Sequence, residues 1–198
     1  MIMDADVDID FADRNAILDH VWNVPAKVTK PTCRKHNSGV YVTDVPYDPI
    51  HNYASIDYDE AETRGYFKID FLNNDVYRLI RDQAHYDELL KRDPPWHRLH
   101  DPIFVSKITQ IKHYHKLIVS MNVNSIIKMS MLLGLIRPGK KHLQGRSWED
   151  ISKEIWVRPQ DDSYMFRKSH AVAYAILVTL HMCLIDELES VDSLHEDN

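Results

Sequence analysis

Apolar and polar residues alternate over Val7-Asp8-Ile9-Asp10-Phe11 and again over Tyr66-Phe67-Lys68-Ile69-Asp70-Phe71. A period of two predicts strands at 7–11 and 65–72. A third, short strand is expected at 39–42, after the polar turn His36-Asn37-Ser38. Residues 25–31 read as a basic connector and 46–52, with two prolines, as a loop. Helical spacing appears over 13–22, where Ala16, Ile17, Val21 and Trp22 share a side and Asp13 is the N-cap candidate. Asn74 or Asp75 should cap a helix to about Lys91, ended by Asp93-Pro94-Pro95-Trp96. Beyond it the pattern is helical: 107–120, 123–136, a capping box at Ser147-Trp148-Glu149-Asp150 opening a helix to about Trp156, and a long helix from Ser169 to Glu189. The expected fold class is α+β. An α/β part spans 1–92, a helical basic part 93–190, and a flexible acidic tail 191–198.

The first strand raises a question of charge. Alternate strand residues share a face, so Asp6, Asp8 and Asp10 point one way and Val7, Ile9 and Phe11 are expected buried behind them. Carboxylates side by side repel. A hard divalent cation with oxygen ligands is the natural counter-ion. The competing structural reading is an exposed edge strand or an acidic terminus. Asp70 sits mid-strand between Ile69 and Phe71, on the face of Lys68 and Tyr66. Were its strand beside the first, the carboxylates would converge as two-metal phosphoryl transfer requires. Spacing alone does not fix that adjacency.

Composition narrows the class. With 198 residues, 44% of them apolar, 27% charged and only five glycines, the chain suits one domain, or a small domain with an added lobe. No run reaches roughly 18 uninterrupted apolar residues. The longest, 171–185, is interrupted by Thr179 and His181 and reads as a buried helix, so no membrane partner is expected. The acidic N-terminus is unlike a secretory leader. Cys33 and Cys183, without metal spacing, suggest reduced thiols and a cytoplasmic setting. Net charge is −6, yet residues 105–170 hold twelve Lys and Arg against five Asp and Glu, and the remainder twelve against twenty-five. Basic clusters stand at Lys35-His36, Arg137-Pro138-Gly139-Lys140-Lys141 and Arg167-Lys168-Ser169-His170. Ser169 is an N-cap candidate there, with backbone N–H groups facing any anion. The alternative for each is a solvated turn or cap.

In order along the chain these clusters resemble the catalytic core of the C-family replicative DNA polymerases, the bacterial DNA polymerase III alpha subunit. Asp6-Val7-Asp8-Ile9-Asp10-Phe11 with Arg14 resembles that family's palm motif, Pro-Asp-x-Asp-x-Asp-Phe with a downstream Arg. Arg34-Lys35-His36-Asn37-Ser38-Gly39-Val40 is similar to its Lys-His-x-Gly-Gly-Val segment. Gly65-Tyr66-Phe67-Lys68-Ile69-Asp70-Phe71-Leu72 resembles its Gly-Leu-x-Lys-x-Asp-Phe-Leu-Gly strand. Leu133-Gly134-Leu135-Ile136-Arg137-Pro138-Gly139 resembles its Leu-x-Arg-Pro-Gly fingers motif. Phe166-Arg167-Lys168-Ser169-His170-Ala171-Val172-Ala173-Tyr174-Ala175 resembles Phe-Asn-Lys-Ser-His-x-x-Ala-Tyr-Ala.

The resemblance implies a nucleotidyltransferase-like palm sheet and a helical, fingers-like second half. It implies Asp6, Asp8 and Asp70 as catalytic, metal-binding aspartates, with Asp10 as the register alternative. It implies two Mg²⁺ ions, with Mn²⁺ as a substitute. Lys35, His36, Arg137, Lys140, Arg167, Lys168, Ser169 and His170 would meet triphosphate or template phosphates, His170 fitting least well. Departures are Ala5 for the Pro, Ser38 for the first Gly, Asn73 for the Gly after Phe-Leu, and Lys140 after Arg-Pro-Gly. A short connector stands where the family inserts a thumb. The expected activity is a miniature nucleotidyltransferase acting on DNA with deoxynucleoside triphosphates, in a bacterial or virus-infected cytoplasm, with replication proteins supplying thumb or clamp. The alternative is a non-catalytic module binding DNA, nucleotide or a replisome subunit. A structural protein of a replication or virion assembly is a third reading.

Overall fold

The computed structural model describes residues 7–157 and 166–196. It is mixed α and β with a small mixed sheet, compatible with the α+β expectation. The chain divides into two compact units, one up to Leu79 and the other from Ile80. The sequence reading set the change at 92/93. The helix between those boundaries packs against the last helix of the second unit.

The first unit is built on β1 (Val7–Phe11), α1 (Arg14–Leu18), β2 (Val24–Val28), β3 (Arg34–Tyr41), the hairpin β4 (Tyr47–Asp48) and β5 (Tyr53–Ala54), α2 (Tyr58–Thr63) and β6 (Ile69–Asn73). The sheet order is β1-β6-β3-β2. β1 and β6 are parallel, while β3 runs antiparallel to both β6 and β2. The expected connector at 25–31 is therefore largely a strand. Pro25 is tolerated because β2 is an edge, with only one neighbour needing its ladder. Helix α2 was not foreseen. Asp57 caps it by accepting from Asp59 N at 3.1 Å. It stops in a Schellman turn: Gly65 N donates to Glu62 O at 2.9 Å and Tyr66 N to Ala61 O at 3.0 Å, with Gly65 at φ +86°. Gly65 thus ends a helix rather than opening β6, which starts four residues later.

The first unit's core is thin: Val24, Ala26, Tyr41, Val45, Ala54 and Ala61, with Ile56, Tyr58 and Tyr66 packed against it. It lies under β2, β3 and α2. Edge strand β1 is poorly covered, so Val7 and Ile9, expected to be buried, are 37% and 36% exposed. Phe11 is better placed and stacks on Phe71, centroids 5.6 Å apart.

The second unit holds α3 (Gln83–Lys91), α4 (Pro102–Lys107), α5 (His115–Ser120), α6 (Ile126–Leu135), α7 (Trp148–Glu154) and α8 (Lys168–Glu196). The single helix expected from 74 to 91 is a 3₁₀ turn (Asp75–Leu79) and α3, because Asp82 caps a fresh start by accepting from His85 N at 2.8 Å. Of the helix expected over 107–120 only the end is helical, as α5, and α4 finishes at Lys107, where that helix was expected to begin. Asp101 caps α4 with Pro102 in its first turn, and Gln110 at φ 64° lies in the break. Ser147 caps α7, its Oγ accepting from Asp150 N at 3.2 Å and donating to Asp150 Oδ2 at 2.7 Å. A dense core joins α6 to α8 through Met129, Leu132, Leu133, Leu135, Ala171, Ala175, Val178 and Met182, among others. Helix α8 runs on to Glu196, through most of the stretch expected as a loose tail. From Lys168 to Val191 it is long and apolar enough, by length and composition, to cross a membrane; 56% of its apolar window is buried inside the protein.

Candidate functional site

The carboxylates expected to meet are on neighbouring strands. In the parallel β1–β6 ladder Asp8 is the direct partner of Asp70. Side-by-side partners project from the same face of the sheet. Asp10 stands two residues further along, opposite Leu72. Asp6 lies outside the described residues. Among the described residues, no three His, Cys, Asp or Glu side chains form a group that could hold a metal ion. Asp10 stands on the same strand as Asp8, one pleat removed from the Asp8–Asp70 pair. Asn74 donates to it, and burial pushes its carboxyl above the usual range despite that hydrogen bond.

Asp70 is only 7% exposed, and its partners are Lys68, two residues earlier in the chain, and Ser38 from β3. Lys68 donates its ammonium to Oδ2, and Ser38 donates its hydroxyl to Oδ1 at 2.5 Å. Burial opposes ionisation, yet the Lys68 and Ser38 hydrogen bonds and the Lys68 charge hold the carboxyl below its ordinary range. The ion pair joins a largely covered Lys68 to a carboxylate whose side chain is 10% exposed.

Ser38 arrives through a break in the β2–β3 pairing. From Pro25↔Val40 to Lys27↔Lys35, β2 advances two residues while β3 advances five. The excess chain, which includes 36–39, bulges out of the ladder. His36 braces it. Its Nδ1 accepts from Gly39 N at 2.8 Å and Ser38 N at 3.2 Å, which assigns the proton to Nε2. The 3.6 Å approach of that Nδ1 to Asp70 Oδ1 is therefore not a charged bridge. Burial lowers the His36 pKa, Asp70 opposes, and Lys68, Arg34 and Arg14 add to the lowering. Gly39, opposite Asp70 on β3, must lack a side chain: a Cβ would lie 2.7 Å from Lys68 Cδ and 2.9 Å from His36 Nδ1. Arg14 fastens the bulge from the other side, donating to the carbonyls of Asn37 and, at 3.2 Å, Ser38. Its backbone N–H donates to Asn73 Oδ1 at 2.7 Å, at the end of β6.

Lys35 is exposed on β3 beside the bulge. The remaining predicted phosphate ligands belong to the second unit. The Arg137 guanidinium stacks 4.5 Å over the Phe166 ring, and its buried Nε has no hydrogen-bond partner among the described residues. Lys140 is committed to structure: its ammonium donates at 2.7 Å to the carbonyls of Glu154 and Val157, at the end of α7. Burial lowers its pKa. Lys168, Ser169 and His170 form the first turn of α8 and Arg167 directly precedes it, so Ser169 sits inside the helix rather than at its cap. The His170 ring lies 6.4 Å from that of Phe166.

Sequence reasoning placed Lys68 on the Asp70 face but missed Ser38 as its second partner. Gly39 was the available signal, since a strand glycine often marks a bulge or a close approach. No protein-family model, curated protein or solved structure matches the chain.

Proposed function

We propose that the Asp8–Asp70 site serves metal-dependent nucleotidyl transfer to a nucleic-acid 3′ end, the chemistry implied by the resemblance to the polymerase III alpha core. The observation that carries this reading is the parallel β1–β6 ladder with Asp8 beside Asp70. The carboxylate oxygens suit a hard cation, which would have to displace the Lys68 ammonium from Asp70 Oδ2. Asp8 and Asp70 would hold Mg²⁺ or Mn²⁺, with Asp6 the third member by resemblance. Such ions activate the attacking hydroxyl and neutralise charge on the transferred phosphoryl group.

The chain's own residues do the positioning. Ser38 and Lys68 keep Asp70 ionised and aimed. His36, Gly39 and Arg14 keep Ser38 in place. Lys68, once drawn off Asp70 by a stronger cation, is a ready partner for a phosphate oxygen. The proposed setting is the cytoplasm, with DNA and deoxynucleoside triphosphates as substrates and other replication proteins as partners. One observation favours the non-catalytic reading: the Lys68–Asp70 pair already neutralises the buried carboxylate, as a binding module needs.

Incubation with primed DNA, deoxynucleoside triphosphates and Mg²⁺ or Mn²⁺ tests the proposal. The wild type should extend the primer, and Asp8→Asn or Asp70→Asn should slow it by about a thousandfold, as loss of several kcal/mol of metal stabilisation requires. Extension at the wild-type rate in either variant overturns it. Metal-independent DNA binding without extension supports the binding module instead.

A further inference from the structure

The β2–β3 hairpin carries a charge pattern that its own unit does not explain. Residues 27–35 hold Lys27, Lys30, Arg34 and Lys35 and no carboxylate. Lys27 is the direct cross-strand partner of Lys35, and Val28 that of Arg34. Like charges directly opposite on antiparallel strands destabilise the pair. Asp57 Oδ2 accepts from Thr29 N at 2.9 Å and Thr29 Oγ at 2.8 Å, and despite burial these bonds and the Lys27 charge hold that carboxyl below its ordinary range, so Asp57 offsets part of the Lys27 charge. Lys27 Nζ donates to the carbonyl of Ser55 at 3.0 Å, and Arg34 to Asn37 Oδ1 at 2.8 Å. Neither of these partners carries charge. Lys30 and Lys35 are exposed, and no carboxylate pairs with either among the described residues.

The register says where this ribbon lies. β3 pairs with β6 only at Gly39↔Asp70 and Val40↔Ile69. Because the strands are antiparallel, moving from Gly39 back to Arg34 moves toward and past the C-terminal end of β6. That is the end of the sheet at which β1 and β6 finish, and at which Asp10, Arg14 and Asn74 sit. The basic ribbon therefore projects beyond the carboxyl ends of the two strands that bear Asp8 and Asp70, the end at which open α/β sheets commonly take ligands.

We propose that the 27–35 hairpin grips the phosphodiester backbone of the nucleic acid whose 3′ end reaches the Asp8–Asp70 site. The proposal rests on the nucleotidyl-transfer reading for the identity of the anion. An extended strand of phosphates relieves the Lys27–Lys35 repulsion and is held without reading sequence, since backbone contacts position rather than specify.

Fluorescence anisotropy of a labelled primer–template, titrated with full-length protein between about 50 and 200 mM salt, tests this. The variants are Lys30→Glu/Lys35→Glu and the milder Lys30→Gln/Lys35→Gln, both at exposed positions, with the melting temperature of each checked. Losing two phosphate contacts should lower the slope of log affinity against log salt by about 1.8, and the affinity at low salt by about tenfold or more. The Gln pair should fall between wild type and the Glu pair. Unchanged slope and affinity in the Glu pair overturn the proposal, as does a weakened complex with the wild-type slope. Asp8→Asn separates the two claims. It should abolish extension while keeping the wild-type salt slope; a wild-type protein that binds through the hairpin but never extends a primer refutes the catalytic reading alone.

Discussion

The two units solve opposite problems with the same kinds of side chain. In the second, charge is settled internally. Arg98 donates to Asp186 at 2.8 Å and to Glu189, which also takes Lys107 at 2.6 Å. Glu187 gathers Arg81 at 2.8 Å, Arg92 at 2.7 Å and the buried His85 at 3.3 Å. Those acids lie toward the end of α8, and the bases on α3 or just outside its ends, on α4 and on the turn at Trp96–His100. Beneath them is the broad α6–α8 core. In the first unit the core is thin, Asp70 is buried with the exposed Asp8 beside it, and Lys30 and Lys35 of a basic hairpin pair with no carboxylate among the described residues. Burying Asp70 costs stability that a plain scaffold has no reason to give up. The helical unit carries the broad apolar core, and the sheet carries the buried carboxylate on which the proposed site rests.

The sharpest way to break that contrast is through the cores. Leu132→Ala, at a position with no solvent exposure, should cost about 2–5 kcal/mol in denaturant unfolding. A loss under about 1 kcal/mol would mean that the α6–α8 core does not hold the second unit together. Next in size is Lys68→Ala, which leaves Asp70 buried and unpaired and should cost about 3 kcal/mol. Adding Asp70→Asn should return most of that loss, because the neutral amide no longer needs a cation. Strict additivity of the two substitutions would show that Lys68 and Asp70 do not interact.

The smallest effect separates two carboxylates one strand apart. Asp70 has a lowered folded pKa, so its contribution to stability is present above the unfolded value, near 3.9, and is lost as pH falls through the folded one. Asp10 has a raised folded pKa and the opposite sign: its contribution is present at low pH and lost as pH rises through the folded value. Asp10→Asn should therefore raise the melting temperature slightly at neutral pH, by roughly 2 °C or less, and leave it unchanged in strong acid. A fall at neutral pH would mean that Asp10 is held as a needed anion.

What the sequence disclosed follows the range of each interaction. β1 was legible to the residue because alternation is local, and the Ser147 cap because its partner is three residues away. Asp82 and Asp101 were equally local caps, passed over in favour of longer apolar periods. The β1–β6 pairing was not legible, since it joins segments about sixty residues apart and two-residue periodicity says nothing of neighbours. Ser38 was hidden for the same reason: it reaches Asp70 only because β3 bulges and Gly39 leaves room. Lys140 misled because a basic run after a helix looks the same whether it faces a phosphate or, as here, caps two carbonyls.

The central claim is that Asp8 and Asp70 together hold a divalent cation. Titration of Mn²⁺ into the protein, with free ion followed by its paramagnetic resonance signal, tests it most directly. Saturable binding by the wild type, lost in both Asp8→Asn and Asp70→Asn but kept in Asp10→Asn, is the predicted result. Binding that survives in the Asp8 and Asp70 variants, or none by the wild type at millimolar metal, would contradict it.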